Sequence, residues 1–181
     1  LHNPKNIGNF KSNFYRRIAF DEILASLLIS SEIRKKIKKI KKKPKLFSDK
    51  SFINTMSKLN FNLTNDQKNS LLQINKDLTS KSKMFRLLQG DVGSGKTIVA
   101  LISALNVIES GYQVAFMAPT EILTRQHYNL AKKLYSNKIN LEILTGKTDY
   151  CEKKRINKEI NSKKINIIFG THSLFQKKIN F

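Results

Sequence analysis

Gly90-Asp91-Val92-Gly93-Ser94-Gly95-Lys96-Thr97 is the stretch on which the reading of this chain turns. It fits the pattern Gly-x4-Gly-Lys-Thr of a Walker A loop. The glycines let backbone N–H groups curl around phosphate oxygens at the positive end of the following helix. In such a loop Lys96 reaches the β- and γ-phosphates and the Thr97 hydroxyl holds Mg²⁺. The flanks agree: the apolar run Met84-Phe85-Arg86-Leu87-Leu88-Gln89 predicts a buried strand, and Thr97 to Glu109 carries apolar residues at helical spacing. Gly90 to Thr97 are therefore the candidate nucleotide-binding residues. Lys96 and Thr97 are the candidate catalytic pair, and a nucleoside triphosphate with Mg²⁺ is the expected cofactor.

Working outward, strand-like stretches at Val114–Met117, Leu141–Leu144 and Ile165–Phe169 alternate with helix-like ones. The helices are expected from Lys96, from about Glu121 to Tyr135 and from about Cys151 to Asn161. This βαβ alternation predicts an α/β fold, a parallel sheet covered by helices on both faces. Ligand residues in such sheets lie beyond the carboxyl ends of the strands. Upstream of the loop, Thr64 followed three residues later by Gln67 has the spacing of a helix capping box. Further forward, Phe20, Ile23, Leu24, Leu27, Leu28, Ile33, Ile37 and Ile40 mark one face of a long helix that Pro44 ends. Residues 44 to 60 read as a linker or a short helix. The expected organisation is a helical linker over 1–60 and an incomplete P-loop domain over 61–181.

The 181 residues carry a formal charge of +21, with 15 basic and 4 acidic residues before Phe61 and 19 and 9 from there on. That balance suits a polyanion, nucleic acid first and an anionic membrane surface second. Lys outnumbers Arg 28 to 6 and Asn and Ile abound, so a compositional bias toward A/T-rich codons explains part of the charge. The run Arg34 to Lys43 either meets phosphates or is a solvated helix end complementing the C-terminal dipole, and the second reading is preferred. Cys151 is the only cysteine, which excludes an intrachain disulfide and fits a reducing, cytoplasmic setting. No segment of the sequence reaches the length of a membrane span.

Three short clusters follow the predicted strands: Ala118-Pro119-Thr120-Glu121, Thr145-Gly146 and Gly170-Thr171-His172. With the phosphate loop they resemble, in order, motifs I, Ia, Ib and Ic of superfamily 2 helicases and translocases. The runs Arg86 to Thr97, Met117 to Leu123, Gln126-His127-Tyr128 and Gly170 to Gln176 closely resemble the RecG family of bacterial ATP-dependent branched-DNA helicases. Arg16 to Ala25 looks like the segment joining the wedge domain of that family to its motor, and Phe61 to Gln67 like the stretch leading into the motor. A transcription-repair coupling motor is similar, but an aromatic residue would be expected in place of Ser94 and no counterpart of Arg16 to Ala25.

The resemblance implies a partial RecA-like domain of an ATP-driven motor that reverses stalled forks and migrates Holliday junctions, with ATP and Mg²⁺ as cofactors. It makes Gln67 the residue that reads adenine, with Phe61 a candidate stacking partner; capping and core packing are the plain alternatives. Thr120, Thr145, Gly146, Thr171 and His172 would lie along the DNA, since hydroxyls and backbone N–H groups are usual sequence-independent phosphate contacts. Glu121 is expected to organise a helix start, and Arg125 and Lys147 are either phosphate contacts or solvated cations. His127 and His172 do not have metal-ligand spacing. Branched DNA is the expected partner, with no membrane and no obligate protein partner, and a monomeric full-length protein. Hydrolysis needs a carboxylate pair after a later strand, yet the only Asp-Glu dipeptide is Asp21-Glu22 in the front helix. The chain is therefore expected to be an internal piece, inactive alone, of such a helicase. A related motor for transcription-coupled repair or replication restart, and a truncated nucleotide- or DNA-binding module that does not hydrolyse, are the alternatives.

Overall fold

Residues 13–40, 61–135 and 139–175 are described by the computed structural model; the expectations placed on Pro44 and on residues 44 to 60 lie outside them. Two compact units form. In the first, the periodic apolar stretch is helix α1 (Asn13–Lys39). Ion pairs one turn apart, Arg17–Asp21 at 3.1 Å and Lys35–Glu32 at 3.2 Å, sit on its surface, where each contributes a few tenths of a kcal/mol at most. Phe20, Ile23, Leu24, Leu27 and Leu28 are 41 to 62% exposed, so the stripe is open rather than packed. Lys81 to Phe85 belong to the same unit, and the Lys83 N–H donates to the Ile40 carbonyl at 3.3 Å.

The second unit is the α/β body. In chain order it contains α2 (Asn65–Thr79), α3 (Lys96–Glu109), β1 (Val114–Met117), α4 (Glu121–Leu134), β2 (Leu141–Leu144), α5 (Tyr150–Asn161) and β3 (Ile167–Gly170), then a 3-10 turn, His172–Phe175. The strands form a parallel sheet in the order β1-β3-β2. Central β3 reads Ile-Ile-Phe-Gly and is buried throughout, as a parallel strand covered on both faces must be. Its side chains alternate between two cores. Ile167 and Phe169 meet Leu101, Leu105 and Ile108 of α3 and Ala131 and Tyr135 at the end of α4; Ile168 meets Ile156 and Ile160 of α5 with Leu144 and Ile165. A third cluster joins Leu71 and Ile74 of α2 to Val99 and Ile102 of α3. The Tyr135 hydroxyl donates to the Leu101 carbonyl at 2.7 Å, and burial pushes its pKa up.

Helices α3 and α5 end in the same hydrogen-bond pattern. The Gly111 and Tyr112 N–H groups bond back to Ile108 and Val107, and the Lys163 and Lys164 N–H groups to Ile160 and Glu159. The left-handed residue is Gly111 (φ 80°) in one and Lys163 (φ 56°) in the other.

The buried strand expected over Met84–Gln89 is not formed. A strand exists only as half of a ladder, and among the described residues β3 pairs with β1 and β2 and no strand pairs with this segment. Phe85 is 67% and Leu87 85% exposed; only Leu88 packs, against the α2–α3 cluster. Arg86 fixes the segment through its side chain, donating to Asp77 at 2.7 Å and to Gln73 at 2.8 Å. The Asp77 hydrogen bond raises the Arg86 pKa.

Candidate nucleotide site and the rim beyond the strands

The phosphate loop turns into α3 at Gly95. Gly93 (φ 85°) and Gly95 (φ 83°) both take left-handed backbone angles, which a side chain would strain. Gly90 is confined differently, because a Cβ there would stand 2.8 Å from the Ser94 hydroxyl. Lys96 folds back across the loop, its ammonium donating to the Gly90 carbonyl at 2.7 Å and the Asp91 carbonyl at 2.6 Å. Asp91, Val92, Gly93 and Ser94 stay exposed at the loop's surface, and Thr97 sits half-buried in the first turn of α3. That turn has no side chain capping its N–H groups. Orphan donors at a helix start, a lysine beside them and glycines that keep the backbone accessible suit the oxygens of a polyphosphate. One hydroxyl at Thr97 suits a hard cation that keeps several of its waters.

Gln67 does two things at once. Its backbone N–H donates to the Thr64 hydroxyl at 3.2 Å and its Oε1 accepts from the Thr64 N–H at 3.0 Å, completing the capping box. Its Nε2 donates to the Ser94 carbonyl at 2.9 Å, so the side chain spans from the start of α2 to the phosphate loop. A Cβ on Gly95 would collide with that amide. The bridge was not legible in the sequence, where the two residues lie 27 apart. Phe61 is half exposed, and Leu63 is the residue of that stretch that enters the core.

The three parallel strands deliver the remaining candidates to one rim. Thr120 caps α4, its hydroxyl accepting from the Leu123 N–H at 3.3 Å. Thr145 is buried after β2, its N–H donating to the Thr148 hydroxyl at 3.0 Å. The Gly146 carbonyl accepts from Lys153 at 3.3 Å, and a Cβ on Gly146 would meet nothing. Thr171 is half-buried and His172 exposed at the start of the 3-10 turn. Two links here were missed by sequence reasoning. Ser173 donates to the Leu144 carbonyl at 3.0 Å and ties the exit of β3 to that of β2, where a Cβ on Gly170 would stand 2.5 Å from the same oxygen. Glu121 accepts from Arg125 at 2.9 Å and lies 3.9 Å from Lys147, so one carboxylate joins two rim cations that looked independent.

His127 is not on this rim: it packs edge-on against Phe116 at 5.4 Å, and burial lowers its pKa. Among the described residues no three His, Cys, Asp or Glu side chains gather as a metal site, and no helix is long and apolar enough to cross a membrane.

Comparison with known proteins places this geometry. The model of the DEAD/DEAH box helicase family matches residues 64–180. ATP-dependent DNA helicase RecG of Aquifex aeolicus is 42% identical over 192 residues, covering 100% of this chain and 24% of that protein. RecG of Thermotoga maritima is 38% identical, with 100% and 23% covered. RecG of Borreliella burgdorferi is 50% identical over 127 residues, with 70% and 18% covered. A solved structure of RecG bound to a three-way DNA junction superposes with a TM-score of 0.82 at 38% identity, over 92% of this chain and 23% of that one. The chain thus spans about a quarter of the length of the first two relatives. The whole-length similarity is to RecG proteins, and the match over residues 64–180 shows that this chain belongs to the DEAD/DEAH box helicase family.

Proposed function

We propose that this chain is the nucleotide-binding part of an ATP-dependent helicase that remodels branched DNA, reversing stalled forks and migrating Holliday junctions. The observation that carries the proposal is the phosphate loop itself: Lys96 lies across it, and an uncapped helix start stands behind it. ATP, when bound with Mg²⁺, supplies the free energy that moves the strands. Lys96 would hold the phosphates as a point charge, in place of the carbonyls of Gly90 and Asp91. Thr97 would hold Mg²⁺, and the N–H groups of Gly93, Gly95, Lys96 and Thr97 would orient the phosphate chain, that of Ser94 being given to the Asp91 carbonyl. Gln67 would read the base with the N–H and the lone pair of its amide that Ser94 and Thr64 leave over. Phe61, half exposed nearby in sequence, is the candidate to stack on it. Thr120, Thr145, Gly146, Thr171 and His172 form the rim that meets one DNA strand. Thr145 supports that rim from beneath, its side chain buried and its N–H given to the Thr148 hydroxyl.

In this reading residues 1–60 link an upstream wedge domain to the motor, and 61–181 are part of the first motor domain. Hydrolysis then draws on a carboxylate pair that these 181 residues do not supply, since Asp21-Glu22 belongs to α1. The test is unwinding of a labelled three-way junction by the complete gene product with and without ATP. Release of a strand only with ATP and Mg²⁺ is expected. Tight junction binding with no ATP-dependent release would instead favour a module that binds without moving.

A further inference from the structure

The outward side of α5 carries a shallow groove of about 600 Å³, lined in part by Lys154, Arg155, Lys158, Glu159 and Lys164. Between Lys147 and Lys164 the sequence has seven basic and three acidic residues. Of the charged residues that line the groove, four are basic and one, Glu159, is acidic. Arg155 pairs with Glu142 at 3.1 Å, Glu159 at 2.9 Å and Glu152 at 3.7 Å. That leaves Lys154, Lys158 and Lys164 exposed and, among the described residues, outside every ion pair. Lys154 and Lys158 are one helical turn apart, roughly 6 Å of rise, a spacing that suits neighbouring phosphates of one DNA strand. The left-handed turn at Lys163 brings Lys164 back to line the same groove. The upper end of α5 touches the DNA-side rim, where Lys153 donates to the Gly146 carbonyl.

We propose that this groove is a second phosphate track, holding the backbone of a duplex arm beyond the rim. Lysine ammonium groups act as sequence-independent phosphate contacts. No aromatic ring lines the groove, so it has nothing on which to stack unpaired bases. The proposal rests on the reading of the chain as part of a DNA motor and adds a surface which that reading does not assign.

The test uses the complete gene product with Lys154, Lys158 and Lys164 changed together to Gln, measuring affinity for a three-way DNA junction between 50 and 200 mM salt. With about 0.9 released counterions per contact, the slope of log K against log salt should fall by about 2 to 3. A control changing Lys68, Lys76 and Lys133 to Gln removes the same charge from α2 and α4 and should move the slope by less than about 1. Junction binding and ATP hydrolysis by the unaltered protein report separately on the motor reading. If the unaltered protein does both but the groove variant keeps its slope, the track does not exist. Equal effects of the two variants would mean only bulk charge. A groove variant with normal junction binding that no longer binds phosphatidylserine vesicles would reassign the surface to a membrane.

Discussion

Replacing Gln67 separates two tasks that one side chain performs. Gln67→Ala removes the acceptor for the Thr64 N–H and the donor to the Ser94 carbonyl. Each such bond contributes about 0.5–1.5 kcal/mol net, and both lie at exposed positions where water replaces them in part, so about 1 kcal/mol in total is expected. Gln67→Glu keeps the capping acceptor but sets a carboxylate against the Ser94 carbonyl, beside a loop built for phosphate. Thr64→Ala makes the opposite cut: it removes the cap hydroxyl, costing about 1 kcal/mol of stability, and leaves the bond to Ser94 in place. The assay is titration of each variant with ATP, alongside a thermal melt. If the bond to Ser94 positions the loop, Gln67→Ala should weaken ATP binding by about five- to tenfold, since 1.4 kcal/mol is a factor of ten. Gln67→Glu should weaken it at least as much while melting near the unaltered protein, and Thr64→Ala should melt lower yet bind ATP within about twofold. ATP affinity unchanged in Gln67→Glu would refute the argument and reduce Gln67 to a helix cap.

Three further outcomes follow from packing and charge. Gly170→Ala should lower stability by about 1–3 kcal/mol in a thermal melt, because the added Cβ would stand 2.5 Å from the Leu144 carbonyl at the end of the central strand. Lys163→Gly should raise it by about 0.5–1 kcal/mol, relieving a left-handed residue at the end of α5; an unchanged melt would mean the turn relaxes without strain. Burial lowers the His127 pKa in the folded state, so the unfolded chain takes up the proton first as pH falls. The stability from neutral His127 should be complete above about pH 6.5 and decline below it, and His127→Gln should flatten that part of a stability–pH profile.

What the sequence made legible was local. The capping box, the phosphate loop and the bounds of β1 and β2 depend on residues a few positions apart. The last strand was expected over 165–169 but forms as Ile167–Gly170, because its ladder begins where both neighbours begin, with Ile167 facing Val114 and Leu141. Register sets that boundary, and register is not written in the strand itself. Met84–Gln89 misled for a related reason: an apolar run shows that a segment could enter a sheet, not that a neighbour stands beside it. The bridges from Gln67 to Ser94, Ser173 to Leu144 and Glu121 to Lys147 join residues far apart in the chain, so only the fold brings them together. They convert separate motifs into a connected loop and rim.

The most direct measurement is junction-stimulated ATP hydrolysis by the complete gene product, with the Lys96→Ala variant run beside it. The structure places Lys96 across the phosphate loop, so the unaltered protein should hydrolyse ATP faster when a three-way junction is added. Lys96→Ala should lose that turnover while still binding the junction, whose proposed contacts lie on the rim. Turnover in Lys96→Ala equal to that of the unaltered protein would contradict the account at its centre.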